Sequence, residues 1–226
     1  ALLVRDYSPS FGPADAPVTL VEFFDPSCEA CRAYHPVVQE IRRQFPTQVR
    51  VVLRYTVFHE GSDEAVRILE AARMQDKFEP VLDALLEQHP GWAGDGSPEM
   101  DVAWGIAGAA GLDLEKAETD QFFPGITGIL NQDAADVEAL AIRQTPTFFL
   151  NGKRLENFSA DSLMADVRFA VENSWRPSGP VGESRKQSQC PFADMVLDAF
   201  GIAFRRLGVK PEAKQEPQHD LVPVPT

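Results

Sequence analysis

VTLVEFFDPSCEAC, residues 18–31, is the stretch of sequence that decides the fold of this chain. Its first seven residues, 18–24, are apolar, β-branched or aromatic with one exception, which is typical of a short buried strand. A turn follows at residues 25–27, and from Cys28 onward apolar residues recur every three or four positions, which predicts a helix. Pro36 falls inside this helix and is expected to kink it. A pair of cysteines therefore stands where a helix begins directly after a buried strand.

A second strand and a helical block are predicted next along the chain. Residues 49–55, VRVVLRY, alternate arginine with apolar residues and read as a strand. Strand, helix and strand in this order form a βαβ unit, whose two strands are parallel and joined by a right-handed crossover. Residues 62–143 show helical periodicity without a convincing strand. Within them, Ser62 and Asp113 are expected to cap helices, and residues 91–98 to form a loop.

Strand signals return after this helical block. Residues 147–150 (TFFL) and 153–155 flank Asn151-Gly152, a pair that suits a two-residue hairpin turn with positive φ. Ser159 is expected to cap a last helix, which runs through Asn173. The chain is thus predicted to be an α/β protein in which a βαβ half and a ββα half flank a helical insertion.

The domain organisation follows from this order of elements. Residues 1–61 and 144–175 are predicted to form the α/β domain, and residues 62–143 an inserted helical domain. Residues 176–226 are rich in Pro, Gly, Ser and Gln, so they are predicted to hold a linker, an extra helix and a disordered tail. The extra helix, residues 192–207, carries an apolar face and is the candidate contact for a homodimer.

Composition and charge narrow the classes of function. The 226 residues are 44% hydrophobic, which is enough for a sizeable core, and the net charge is −13. This charge argues against a nucleic-acid partner, because binding to phosphates depends on Lys and Arg. No apolar run approaches the roughly 18–20 residues that cross a bilayer, so no membrane insertion is expected. Residues 1–17 are Pro-rich and read as loop, and a start at Ala1 is compatible with a removed export signal or anchor.

The Cys28-Glu29-Ala30-Cys31 segment is the strongest functional signal. Only a thiolate attacks a disulfide, and the N-terminus of a helix stabilises negative charge. Cys28 would lie at the exposed end of the helix as the attacking thiol. Cys31, one turn further in, could then attack the mixed disulfide and release the substrate. No organic cofactor is required, because the cysteine pair itself stores two electrons.

Two other interpretations of the cysteines remain open at this point. Cys28, Cys31 and His35 could bind a soft metal such as Cu or Zn, although a closed structural zinc site takes four protein ligands. The pair could also be a purely structural disulfide. A third cysteine, Cys190, could form an intermolecular disulfide or cover the active site.

Thr145-Pro146-Thr147 is the second signal, at the start of the second pair of strands. A proline that begins a strand donates no hydrogen bond to the sheet. Together with the cysteine pair upstream, it predicts a cis proline that faces the active site. The backbone of Thr145 would then be free to pair with an extended substrate segment.

The chain resembles the DsbA-like branch of the thioredoxin superfamily. The resemblance rests on GPADAPVTLVEFFDPSCEAC (12–31), Pro36, TPTFFLNGKRL (145–155) and the helical insertion, and it covers about residues 12–173. It implies a thioredoxin-like fold and disulfide exchange with protein thiols, supported by a redox-recycling partner. It also implies a periplasmic or otherwise extracytoplasmic setting. A dimeric disulfide isomerase would use the same fold and stays an alternative.

The resemblance also implies roles for individual residues. Cys28 would be the nucleophile, Cys31 the resolving thiol and Pro146 the cis proline. An acidic residue stands at the position of Glu22 in members of this superfamily, beneath the active site. For Glu22 this implies a raised pKa and proton exchange with Cys31, since a buried carboxylate is costly unless it is protonated or paired.

The two residues between the cysteines depart from the most oxidising members of the family, which carry Pro-His there. Glu29 and Ala30 are expected to contact substrate. The negative charge of Glu29 is expected to raise the pKa of Cys28 and so to make the disulfide less oxidising. His35 and His59 are further titratable residues, of which His59 could line the substrate groove.

Overall fold

One β-sheet organises the computed structural model, which describes residues 2–94, 96–156 and 158–174. Its strand order is β1-β3-β2-β4-β5, with β2 parallel to β3 and antiparallel to β4. This order places β2, the strand before the cysteines, at the centre of the sheet, and its parallel pairing with β3 is as the sequence predicted. The strands are β1 (Ser10–Phe11), β2 (Val18–Phe24), β3 (Val49–Tyr55), β4 (Thr147–Leu150) and β5 (Lys153–Arg154).

Helices connect and cover these strands. Helix α1 begins after Cys28, includes Pro36 and links β2 to β3, and α8 packs beside α1. In the part of the chain that the structure describes, six helices lie between β3 and β4, where the insertion was expected, and the fold is the thioredoxin-like α/β fold. The helices are α1 (Glu29–Gln44), α2 (Ser62–Met74), α3 (Phe78–Glu87), α4 (His89–Trp92), α5 (Met100–Ala109), α6 (Leu114–Asp120), α7 (Pro124–Ala139) and α8 (Ala160–Ser174).

Several local predictions are confirmed. The hairpin turn has positive φ at Asn151 (48°) and Gly152 (84°), as a two-residue turn requires. The Asp113 side chain accepts from the backbone N–H of Lys116, and the hydroxyl of Ser159 accepts from that of Ser162. Both residues therefore satisfy a free N–H at the start of a helix.

Two local predictions are wrong because a contact distant in sequence decides the conformation, and one predicted boundary is displaced by two residues. Residues 1–17 include β1, which pairs with Val51 and Val52 of β3 and is too short for a sequence pattern. Ser62 does not cap α2: Gly61 occupies that position with φ 75°, and the Ser62 hydroxyl donates to Asp25 instead. The expected loop at residues 91–98 begins within the short helix α4.

The two faces of β2 bury different clusters, because successive side chains of a strand point to opposite faces. Val21 and Phe23 pack in a small cluster with Val137, Ile142 and other residues. Leu20 and Phe24 belong to the large core that the sheet forms with α1 and the inserted helices, and this core includes both cysteines. Glu22 shares the parity of Leu20 and Phe24, so it lies on the side of the sheet that carries the cysteine pair.

A buried ionic cluster fixes α7 against β3. The Arg54 side chain is fully buried, and its Nη2 lies 2.7 Å from Asp133 Oδ1 and 2.6 Å from Asp136 Oδ2. Its Nη1 donates to the carbonyl of Leu2, and Arg5 pairs with Asp136 at 2.6 Å. A buried charge is tolerated when it is paired in this way, so the cluster also holds the N-terminal segment in place.

The domain boundaries predicted above remain predictions. The linker, the helix proposed at 192–207, Cys190 and the tail all lie outside the described residues. No helix in the part of the chain that the structure describes is long and apolar enough to span a membrane.

Candidate active site

The cysteine pair lies at the N-terminus of α1, where the sequence predicted it. Cys28 is the N-cap residue, with extended backbone angles (φ −88°, ψ 119°), and Cys31 lies in the first turn. Both are free thiols, with 6% of Cys28 and 1% of Cys31 exposed. The position of Cys28 gives its sulfur access to the unpaired backbone N–H groups of the first turn, which favour an anion.

The surroundings of Cys28 stabilise its thiolate. The pKa of Cys28 is lowered from 9.0 to about 5, chiefly by a hydrogen bond from the Cys31 thiol. Burial opposes this shift, while the Thr145 side chain and the backbone N–H groups of Cys31 and Ala30 add to it. At neutral pH Cys28 is therefore largely a thiolate, the reactive form of a cysteine.

Cys31 has the opposite character. Burial raises its pKa well above 9.0, and the hydrogen bond to Cys28 and the charge of Glu22 raise it further. The backbone N–H of Asp25 donates to its sulfur at 3.4 Å, which acts the other way. The two thiols are thus distinct: one is ionised beside a groove, and the other is buried and protonated.

Glu22 lies in the central strand with 5% of its surface exposed, between Leu53 of β3 and Phe148 of β4. Burial raises the pKa of Glu22 to about 8, and the negative charge of Cys28 contributes to this shift. The carboxyl is therefore protonated over most of the physiological range and can donate as well as accept a proton near neutrality. The raised pKa agrees with the expectation from sequence, while a role toward Cys31 is a proposal.

Thr145 and Pro146 face the cysteines from the other side of the site. The peptide bond between them is cis, as predicted. The Cys28 thiol lies 3.5 Å from the carbonyl oxygen of Thr145 and donates to it. The Thr145 hydroxyl is buried and has no hydrogen-bond partner among the described residues. It is free to turn toward the sulfur once Cys28 is ionised, which explains how Thr145 lowers the pKa of Cys28.

Two adjoining grooves meet at Thr145 and Gln144. The first, about 320 Å³, contains Ala30, Thr145 and Pro146, three of the residues expected to bind substrate. The second, about 530 Å³, contains Cys28 and His59. The first groove is further lined by Tyr34, Gln144, Thr147, Arg154, Leu155, Glu156 and Phe158, and the second by Phe58, Ile142, Arg143, Gln144 and Thr145.

Glu29 is paired with neighbouring side chains, and the substrate contact expected of it stays a prediction. Its carboxylate lines neither groove and instead forms a bidentate ion pair with Arg32, one turn further along α1. The buried ring of His89 lies 3.3 Å away on its other side. Arg32 offsets the charge of this carboxylate, and Glu29 is not among the main causes acting on the pKa of Cys28. The value of about 5 still lies above the roughly 3.5 of the strongest oxidants.

The soft-metal alternative finds no support in the geometry. The Nε2 of His35 is paired with a carboxylate and lies 2.8 Å from Asp83 Oδ1 on α3. Within residues 2–94, 96–156 and 158–174, no group of three or more His, Cys, Asp or Glu side chains could hold a metal ion.

Asp25 is a site residue that the sequence analysis missed. Its side chain is fully buried, and its Oδ1 accepts from the Ser27 N–H and the Ser62 hydroxyl. Its Oδ2 accepts from the N–H groups of Phe58 and His59 and lies 2.9 Å from His59 Nδ1. An aspartate in a turn is ordinarily read as a turn former, whereas its partners Phe58, His59 and Ser62 lie more than thirty residues away.

Comparison with known proteins identifies the family. The family model described as thioredoxin matches residues 5–167. A thioredoxin-like oxidoreductase from Silicibacter pomeroyi is 31% identical, with a TM-score of 0.66, and the match covers 76% of this chain and 96% of that one. The chain therefore belongs to the thioredoxin family.

More distant structures share the fold. BdbD from Bacillus subtilis is 22% identical, with a TM-score of 0.64 and coverage of 73% of this chain and 93% of that one. The α-DsbA1 protein of Wolbachia pipientis is 15% identical, with a TM-score of 0.67 and coverage of 76% and 95%.

The curated relatives are named as Na⁺/H⁺ antiporters rather than as oxidoreductases. The Na⁺/H⁺ antiporter NhaA of Herminiimonas arsenicoxydans is 34% identical over 145 residues, which are 64% of this chain and 22% of that protein. The chain spans about a quarter of the length of antiporters such as these, so the likeness concerns one part of those proteins.

Proposed function

We propose that this protein exchanges disulfides with protein thiols through Cys28 as the nucleophile and Cys31 as the resolving thiol. The observation that carries the proposal is the difference between the two thiols. Cys28 lines a groove, and its thiol has a pKa of about 5. Cys31 is buried, and the pKa of its thiol is raised well above 9.0. This asymmetry fits a reaction in which one cysteine meets the substrate and the other acts only within the protein.

The reaction then has two steps. The Cys28 thiolate attacks a substrate disulfide and forms a mixed disulfide, and Cys31 displaces the substrate from it. Attack by Cys31 requires loss of its proton, and Glu22 is the proposed acceptor, since its carboxyl is buried on the same side of the sheet and titrates near neutrality. Oxidation of a substrate follows the same steps in reverse.

The partners proposed are protein thiols or disulfides and a redox-recycling protein. An extended segment of a substrate would lie along the two grooves and contact Ala30, Thr145 and Pro146. An extracytoplasmic location, where disulfides persist, is proposed on the same basis. The homodimer and the isomerase that would depend on it involve residues 192–207 and stay predictions from the sequence.

A trapping experiment tests the proposal. A Cys31→Ala variant, expressed in cells with an affinity tag, should accumulate mixed disulfides on Cys28 that a reductant releases, and mass spectrometry should identify the attached proteins. The matched control is a variant that lacks both Cys28 and Cys31. Absence of reductant-sensitive adducts above that control would contradict the function proposed here.

A further inference from the structure

We propose that His59 is a further catalytic residue, which exchanges a proton with the sulfur of the substrate during disulfide exchange. The inference rests on the function proposed above and names the group that handles the substrate's proton. Glu22 and Cys31 are proposed to exchange a proton inside the protein, but neither residue lines the grooves where a substrate thiol would arrive or depart.

His59 is placed where a substrate sulfur must pass. It lines the groove of about 530 Å³ that also contains Cys28 and Thr145. Its side chain is 46% exposed, in contrast to His35 (15%) and His89 (1%). Of the histidines that the structure describes, it is the one that shares a groove with the nucleophile.

A buried carboxylate orients the imidazole. His59 Nδ1 lies 2.9 Å from Asp25 Oδ2, so Nδ1 carries a proton and donates a hydrogen bond to the carboxylate. The second ring nitrogen, Nε2, makes no hydrogen bond to a described residue. It is therefore the nitrogen that can accept or donate a proton in the groove, because the bond at one ring nitrogen sets the state of the other.

The orienting group is itself held rigidly. Besides His59 Nδ1, four donors converge on the Asp25 carboxylate: the Ser62 hydroxyl and the N–H groups of Ser27, Phe58 and His59. The backbone N–H of Asp25 also donates to Cys31, which links this arrangement to the redox pair. The other charged groups that line this groove are the Cys28 thiolate and Arg143.

The proposed step balances as follows. The Cys28 thiolate attacks one sulfur of a disulfide R–S–S–R′, so that a bond to Cys28 forms while the S–S bond breaks. The electron pair leaves on R′S⁻, which takes the proton from Nε2–H of the His59 imidazolium and departs as R′SH. In the reverse direction, neutral Nε2 takes the proton of an incoming thiol, and the resulting thiolate attacks.

The rate increase that a proton from His59 gives depends on the pKa of the thiol that leaves. Departure of a thiol is slower when its pKa is higher, and an ordinary cysteine has a pKa of about 8.5. A positioned acid should therefore accelerate exchange with aliphatic disulfides and leave exchange with acidic aromatic thiols unchanged. A residue that only supports the loop would affect both kinds of substrate equally.

His59→Asn is the variant that separates these roles. An asparagine amide can occupy the place of Nδ1 and still donate to Asp25, but it has no counterpart of Nε2. The matched control is His35→Asn, which alters another histidine–aspartate pair outside the groove. Both changes are made in the full chain with Cys31→Ala and Cys190→Ala, so that attack by Cys28 is measured alone, and circular dichroism verifies the fold.

The measurement is the second-order rate constant of reduced protein with two disulfides, glutathione disulfide and 5,5′-dithiobis(2-nitrobenzoate), between pH 6 and pH 9. We expect His59→Asn to slow reaction with glutathione disulfide by about tenfold near pH 6, less than is typical of general acids because thiolates leave readily. The effect should shrink as the pH rises. Reaction with the aromatic disulfide, and both reactions of the His35→Asn control, should change less than about twofold.

Two results would overturn the assignment of His59: an equal loss on both substrates, or no loss on either. If the parent protein reacts with neither disulfide faster than N-acetylcysteine does at the same pH, the function proposed for Cys28 fails, and this inference fails with it.

Discussion

Replacement of Cys31 by alanine should destabilise the thiolate of Cys28. The Cys31 thiol is the largest of the causes that lower the pKa of Cys28 from 9.0 to about 5. A fall of about four pH units corresponds to roughly 5.4 kcal/mol at about 1.36 kcal/mol per unit. One hydrogen bond to a charged group contributes about 1.5–3 kcal/mol, so its loss should raise the pKa of Cys28 by roughly one to two pH units.

The rate of alkylation by iodoacetamide as a function of pH measures this pKa directly, in a Cys190→Ala background. Cys31→Ser is the matched variant, because a hydroxyl keeps the donor that alanine removes. We expect the alkylation midpoint to rise in the order parent, serine variant, alanine variant. An alanine variant whose midpoint lies within about 0.3 pH units of the parent would refute the assignment of Cys31 as the main donor.

The same pKa makes the stability of the reduced protein depend on pH. Because the folded-state pKa of Cys28 is depressed, its contribution is fully present above pH 9.0 and is lost as the pH falls through about 5. At pH 7, about two pH units above the folded-state pKa, roughly 2.7 kcal/mol of this contribution to the free energy of unfolding remains. Urea denaturation at pH 7 and pH 5 should show that the reduced protein loses about 2 kcal/mol more than a Cys28→Ser variant. An equal loss in both would contradict the low pKa.

Three further substitutions test separate parts of the structure. Thr145→Val removes a donor and should raise the alkylation midpoint of Cys28 by up to about one pH unit; an unchanged midpoint would exclude the hydroxyl as a donor. Glu22→Gln should slow release of a mixed disulfide in quenched-flow experiments near pH 7, by about tenfold or more, yet leave that midpoint near 5, where Glu22 is already protonated. Arg54→Met leaves the buried Asp133 without its arginine partner and Asp136 with Arg5 alone, and it should lower the free energy of unfolding by about 3–5 kcal/mol. Arg50→Met, at a partly exposed residue, should cost less than about 1 kcal/mol.

The absence of Glu29 from the main causes that shift the pKa of Cys28 has a general physical reason. The charge of a residue is visible in the sequence, but its effect on a neighbour depends on what compensates it. Arg32 lies at the i+3 position, where two side chains of a helix meet, and it pairs with the carboxylate of Glu29. That spacing could have predicted the Glu29–Arg32 ion pair from the sequence. The approach of His89 from a separate helix could not be predicted in this way.

The sequence by itself determined the features that depend on neighbours along the chain. Alternation and helical periodicity located β2, α1 and β3, and with them the cysteine pair at a helix N-terminus. The hairpin turn at Asn151-Gly152 and the cap at Ser159 were equally local. Glu22 could be predicted to be buried, because it lies inside a strand whose other residues are nearly all apolar.

Only the tertiary structure decided how the cysteines are activated. Thr145 reaches Cys28 across 117 residues, and Asp25 reaches His59 across 34, through hydrogen bonds that exist only after the sheet and the inserted helices have packed. A pKa depends on burial, charges and donors in space, none of which follows from spacing along the chain. The sequence therefore located the reactive pair, whereas packing made Cys28 the thiolate and Cys31 the buried thiol.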